Sequence, residues 1–255
     1  MTAASPRAAP RRVSFVVPAY DEEKRLGSSL ERLIAYCAQQ SYESEIIIVD
    51  DGSADATASI AGRAAERLTE RVSLRIVKHE QNRGKGAAVR TGMMDATGDV
   101  ALYLDADLAT PPEETSRLLD ALSAGNDLAI GVRIQPGGYD MRASEPPYRR
   151  IGGYIFTAVR RRLLLSDVYD TQCGFKAFTK EAAARIFPLQ QLDGWAFDAE
   201  LLFIAKRLGY SIAQVPVEWH HVEGSRFQIG IRSAIRELRD LARIRRIHRG
   251  LRADK

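Results

Sequence analysis

Short runs of β-branched and aliphatic residues alternate with segments of helical period, and each run breaks off into proline, acidic or basic residues. The run 13–17 stops at Pro18, 46–49 stops at Asp50 and Asp51, and 100–104 stops at Asp105; residues 73–77 and 128–130 form two more. Runs that are apolar on both sides suit strands of a parallel sheet covered by helices on each face. Between the first two runs, Leu26, Leu30, Leu33, Ile34 and Cys37 share one helical stripe. The pattern predicts further helices over residues 54–68, 86–96, 112–122, 148–165 and 199–208, and strands at 175–178 and 211–219. Strand and helix in alternation give an α/β fold with a mainly parallel central sheet.

In such a sheet ligands bind beyond the carboxyl ends of the strands. The chemically unusual residues follow strand ends: 18–22, 50–53, 105–107 and Arg133. They are expected to meet in one cleft.

Asp105 and Asp107 bracket Ala106 directly after an apolar strand. Two carboxylates entering a turn converge on a hard cation that prefers oxygen, and Mg²⁺ needs only one or two of them when phosphates and waters complete its shell. Alone, such a pair is more often a solvated turn; its place at the strand end gives it weight. Asp50-Asp51-Gly52-Ser53 reads as an Asp-Gly turn in which Ser53 caps the next helix and Asp51 reaches a base or a ribose hydroxyl. Asn82-Arg83-Gly84-Lys85-Gly86 opens a helix that carries Arg90, and glycine amides with a lysine at a helix start favour phosphate. The segment is not a dinucleotide fingerprint, because Val89 stands where the third small residue belongs.

These motifs, in this order and spacing, resemble family 2 glycosyltransferases with the GT-A fold. Pro18-Ala19-Tyr20-Asp21-Glu22, the Asp50–Ser53 turn, the Asn82–Gly86 helix start and the Asp105/Asp107 pair carry the likeness. Asp170-Thr171-Gln172-Cys173-Gly174-Phe175-Lys176, Phe197-Asp198-Ala199-Glu200, Val215–Trp219 and Glu223-Gly224-Ser225-Arg226 are similar to the dolichyl-phosphate glucosyltransferase and mannosyltransferase branch. The likeness implies transfer of a hexose from a nucleoside diphosphate sugar, UDP-glucose preferred, to a polyprenyl or dolichyl phosphate. It places Pro18, Tyr20, Glu22, Asp51 and Lys85 in the nucleotide pocket, and Gln172 and Lys176 beside the donor sugar. It also implies Asp105 and Asp107 on Mg²⁺ or Mn²⁺, Asp198 as catalytic base, and Arg133 and Arg226 on phosphate. Val132 departs from the serine usual before that arginine, and Arg226 from the lysine common at its place. GDP-mannose, a soluble acceptor, or an inactive nucleotide-sugar-binding protein are the rival readings. A glycoside hydrolase would not need the nucleotide-binding residues Asp51 and Lys85.

Charge divides the chain. Residues 229–255 hold eight Arg and one Lys against three acids, while the net charge of the whole is only +4. Arg232, Arg236, Arg239, Arg243 and Arg246 recur at helical spacing opposite Ile231, Ile235, Leu238 and Leu241. This reads as a basic amphipathic helix that docks on the domain or lies on an anionic membrane. The expected division is a mobile tail over 1–12, a catalytic domain over 13–228 and this helix over 229–255. No run reaches the roughly 18 apolar residues of a spanning helix. The expected setting is the cytoplasmic face of a membrane, with peripheral attachment. No nucleic-acid reading module accompanies the arginines. Cys37 and Cys173 read as free thiols, and His79, His220, His221 and His248 show no metal-ligand spacing and are taken as incidental. Trp195 and Trp219 suit either a sugar face or the core.

Overall fold

A computed structural model describes residues 5–66, 68, 70–133, 164–222 and 231–252. Seven strands form one sheet: β1 (Arg12–Ala19), β2 (Glu43–Asp50), β3 (Val72–Lys78), β4 (Val100–Leu104), β5 (Leu128–Val132), β6 (Phe175–Thr179) and β7 (Ile212–Pro216). Their order is β3-β2-β1-β4-β6-β5-β7, parallel throughout except for β6, which runs antiparallel to both its neighbours. The helices are α1 (Leu26–Ala38), α2 (Thr57–Ala65), α3 (Lys85–Asp95), α4 (Thr115–Ser123), α5 (Lys180–Ile186), α6 (Phe197–Arg207) and α7 (Ile231–Ile247).

Alternate strand residues supply two cores, one on each face. Phe15, Val17, Ile46, Ile48 and Leu102 pack with α1 through Leu26, Leu30 and Leu33 and with α4 through Leu118 and Leu122. On the other face Val16, Ile47, Val49, Ala101 and Tyr103 pack with α3, α5 and α6. Pro18 lies inside β1, not after it as expected. The ladder to β4 ends at Val16, and Ala19 accepts the Asp51 N–H at 2.8 Å on the β2 side. The N–H that proline lacks therefore faces no neighbour.

Other boundaries shift for local reasons. Helix α2 starts at Thr57, not 54, because the Asp55 carboxylate takes the Thr57 amide and hydroxyl. Strand β7 ends at Pro216 and not at 219. Helix α5, capped by Thr179 on the Ala182 N–H, had no periodic signal because it has only seven residues. The expected tail is partly tied down: the Arg7 guanidinium pairs with Asp127 at 2.6 Å, its amide donates to Ser123, and the Arg11 amide donates to Asp99. Residues 134–147, residues 148–163 of the expected helix, and Arg226 lie outside the described residues.

The basic helix α7 is not a separate appendage. Leu241 and Ile244 are fully buried in the same core as Val16 and Tyr103, and His248 just beyond the helix is buried with them. This half of the apolar stripe is covered by α6. Leu241→Ala should therefore behave as a core deletion, costing about 2–5 kcal/mol in denaturant unfolding. An unchanged midpoint would mean that the helix does not dock.

Candidate active site

The loops after β1 and β2 are stitched together. Ser53 does not cap α2 as expected; its hydroxyl accepts the Asp21 amide at 2.9 Å, Asp21 accepts the Ala54 amide, and Thr57 accepts the Glu22 amide. Asp21 itself sits at φ +48°, a conformation a short polar residue tolerates. Tyr20 is left 39% exposed at the mouth, beside Pro18 at the strand end. Glu22 grips Arg25 through two bonds of 2.7 and 2.8 Å. Burial pulls the Arg25 guanidinium down, but Glu22 and the nearby Asp107 outweigh it and raise its pKa. No motif pointed to Arg25, which stands at the N-cap of α1.

Asp51 is buried, and its two oxygens accept the amides of Arg83 and Gly84 at 3.0 and 2.8 Å. His79 bonds the same carboxylate through Nδ1 at 2.6 Å and Thr91 through Nε2 at 2.9 Å. Asp51, expected to reach a base or a ribose hydroxyl, thus also braces the loop before α3. His79, expected to be incidental, is part of that brace.

At the end of β4, Asp105 and Asp107 occupy a tight turn closed by the Leu108 amide on Asp105 and the Ala109 amide on Asp107. Leu108 adopts φ +48°, a strained value for a bulky side chain. Lys85 Nζ stands 2.5 Å from Asp105 Oδ1. The other side of Asp105 abuts Gly174, where an added Cβ would fall 2.2 Å from Oδ2. Burial first, then the charge of Asp105, push the Asp107 carboxyl above the usual range. Burial lowers the Lys85 ammonium, but Asp105, Asp198 and Asp107 together overcome this and raise it. The carboxylates 105, 107 and 198 therefore share one electrostatic neighbourhood with Lys85. Two repelling carboxylates suit a hard divalent cation. Among the described residues no cluster of three His, Cys, Asp or Glu is poised for a metal. The remaining ligands would be phosphate and water.

Asp198, in the first turn of α6, is 2% exposed, and Lys176 is fully buried. Asp198 Oδ1 accepts the Tyr103 hydroxyl at 2.5 Å and the Lys176 ammonium, whose second bond goes to the Cys173 carbonyl at 2.6 Å. Burial and then the Asp198 charge keep the Tyr103 phenol protonated as a donor. The antiparallel entry of β6 makes this possible by pairing Lys176 with Tyr103 in register. Lys176, expected beside the donor sugar, has its ammonium paired with Asp198. Gln172, two residues past Asp170, donates its amide to that residue at 3.1 Å.

Arg133 holds Asp170 in a bidentate pair of 2.7 and 3.0 Å, with its guanidinium carbon 5.4 Å from the Trp219 ring centre. The far wall of the cleft is the 190–195 segment. Its Asp193 carbonyl accepts the Gly86 amide, and Arg90 pairs with the Asp193 carboxylate. Trp195, 45% exposed, faces Lys85 at 5.1 Å. The segment hangs on Glu200, fully buried, which accepts the amides of Gln191 and Leu192 at 3.0 and 2.8 Å and bonds His248 Nε2 at 2.7 Å. His248, like His79, was expected to be incidental.

Two substitutions test this geometry. Gly84 has φ +106°, and an added Cβ would lie 2.4 Å from the Asp193 carbonyl. Gly84→Ala should cost roughly 1–3 kcal/mol in thermal unfolding and weaken nucleotide binding by shifting Lys85. For Asp107, a raised folded-state pKa means that ionisation costs stability. The penalty sets in as pH rises through the unfolded carboxyl range and is complete above the raised value. Asp107→Asn should therefore raise the melting temperature of the metal-free protein at neutral pH while weakening Mn²⁺ binding in calorimetry.

The family described as Glycosyl transferase family 2 matches residues 14–187. A dolichyl-phosphate beta-glucosyltransferase of Dictyostelium discoideum is 38% identical over 242 residues, covering 91% of this chain and 73% of that protein. The enzyme of the same name from Homo sapiens is 35% identical over 227 residues, 85% of this chain and 69% of the relative. Glucosyl-3-phosphoglycerate synthase of M. tuberculosis superposes with a TM-score of 0.63 at 23% identity, over 92% of this chain and 79% of its own, a likeness of fold. The profile match across most of the sheet and the identity to these relatives establish that the chain belongs to glycosyl transferase family 2.

Proposed function

We propose that the protein transfers glucose from UDP-glucose to a polyprenyl or dolichyl phosphate, inverting the anomeric carbon, at the cytoplasmic face of a membrane. The activity for which the relatives are named supports the sugar and the class of acceptor. The hydrogen bonding of Asp198 supports a phosphate acceptor independently. Its Oδ1, on a buried side chain, is already occupied by the Tyr103 hydroxyl and the Lys176 ammonium, so that oxygen is not open to a proton from an acceptor hydroxyl. A sugar hydroxyl needs a base, whereas a phosphate monoester with a second pKa near ~6 arrives ionised.

The roles follow from position. Asp51, braced by His79, shapes the loop that receives the nucleotide, and the amides at the start of α3 with Lys85 face the diphosphate. Asp105 and Asp107 would hold Mg²⁺ or Mn²⁺, which when bound neutralises charge on the leaving diphosphate. The acceptor phosphate oxygen forms the new bond to the anomeric carbon as the bond to the nucleoside diphosphate breaks. Asp198 and Lys176 act as a fixed dipole beside Lys85, and Arg133, steadied by Asp170, lines the acceptor side. Among the described residues no helix is long and apolar enough to cross a bilayer, which agrees with peripheral attachment.

Radiolabelled UDP-glucose, UDP-galactose and GDP-mannose, each incubated with polyprenyl phosphate and Mg²⁺, give the direct test. Organic-phase label is expected from UDP-glucose, and label from GDP-mannose alone would reverse the donor. With the phosphate acceptor, the pH profile of kcat should follow the acceptor's own ionisation and keep its shape in Asp198→Asn. Loss of the alkaline-going limb in that variant would restore Asp198 as a general base.

A further inference from the structure

Helix α7 presents two adjacent faces. Leu241, Ile244 and the following His248 are turned into α6, while Ala242, Arg245, Arg246 and, in the next turn, Arg249 line a cleft of about 350 Å³ with Phe203 and Arg207 of α6. The cleft is built from both helices. Arg207 donates from Nε to the Leu251 carbonyl at 2.9 Å and from Nη2 to the Arg249 carbonyl at 3.2 Å, fixing the chain end against α6. Among the described residues no carboxylate pairs with Arg245, Arg246 or Arg249. Asp240 lies on the opposite side of the helix, about half a turn from the cleft residues by helical rotation.

Four guanidinium side chains around a floor of Phe203 and Ala242 repel one another unless an anion joins them. Favourable alignment of Arg245 and Arg246 with the helix dipole explains cations in that last turn. It does not account for Arg249 beyond the helix, or for Arg207, itself held by the Leu251 and Arg249 carbonyls, bordering the same space. Planar guanidinium forks match phosphate oxygens in pairs, which a scatter of lysines would not.

We propose that this cleft is a second anion site that takes the phosphate headgroup of an anionic membrane lipid. It is not the acceptor site. Arg207 follows Asp198 by nine residues on one helix, so the cleft lies about 14 Å along α6 from the reacting centre. The apolar stripe of this half of α7 is already spent on α6, so insertion into the hydrocarbon is closed to it and headgroup contact remains. The choice of a lipid over a free phosphate rests on the lipid acceptor proposed above.

The test is sedimentation of the full chain with phosphatidylcholine vesicles, with and without phosphatidic acid, near physiological salt. The triple variant Arg245→Gln, Arg246→Gln, Arg249→Gln should lose vesicle affinity on the order of a hundredfold. A control, Arg11→Gln, Arg63→Gln, Arg71→Gln, removes the same charge from exposed positions elsewhere and should lose little. Thermal melting checks that both are folded. Replacing the three cleft arginines by lysine keeps the charge, and should still weaken binding because the forks are gone. Equal loss in cleft and control variants, or full binding by the lysine variant, would overturn the site. Saturable binding of glycerol 3-phosphate by calorimetry without any vesicle response would overturn the lipid source. Transfer to polyprenyl phosphate in detergent, with no bilayer present, reports on the catalytic reading separately.

Discussion

Charge compensation at the carboxyl edge of the sheet is the constraint around which the rest is arranged. Asp51, Asp105, Asp107 and Asp198 crowd one cleft, and two of them are almost wholly removed from water. Each of those buried two has a partner from a different element: His79 after β3 for Asp51, and Lys176 on β6 for Asp198. Breaking such a pair strands a charge in a poor dielectric, which costs far more than the pair itself contributes. The partners therefore dictate where the strands must lie, and the insertion of β6 between β4 and β5 is what delivers Lys176.

Asp105 and Asp107 are treated differently. Asp105 pairs directly with Lys85, while Asp107 feels Lys85 and Arg25 only at a distance and Asp105 repels it, so the rim keeps unbalanced negative charge where the buried pairs have none. That imbalance is tolerable at a mouth open to water and counter-ions, and it would be intolerable in the interior. The strained Leu108 beside it fits the general concentration of backbone strain at working loops.

Much of this was legible in the chain. The strand ends, the amide-rich start of α3 and the acidic pair after β4 follow from periodicity and from where apolar runs stop, because these are local properties. What stayed hidden is non-local. Nothing in a run such as 175–178 distinguishes a parallel from an antiparallel strand when both faces are buried. Lys176 and Asp198 are 22 residues apart, so their pairing needs the register of β6 against β4. His79 and His248 lack ligand spacing because their partners are carboxylates on other elements. The docking of α7 was one of two open outcomes, since an amphipathic stripe reads the same whether its cover is protein or lipid.

Glu200 belongs at once to the cleft wall and to the turn that follows α7. One carboxylate shapes the 190–193 segment through two amides and clasps the imidazole 48 positions downstream. Cutting the protein just upstream of that imidazole is thus no neutral shortening: it would unclasp an anion in the interior and loosen the segment on which Trp195 stands, so one wall of the cleft is tied to the residue that follows α7.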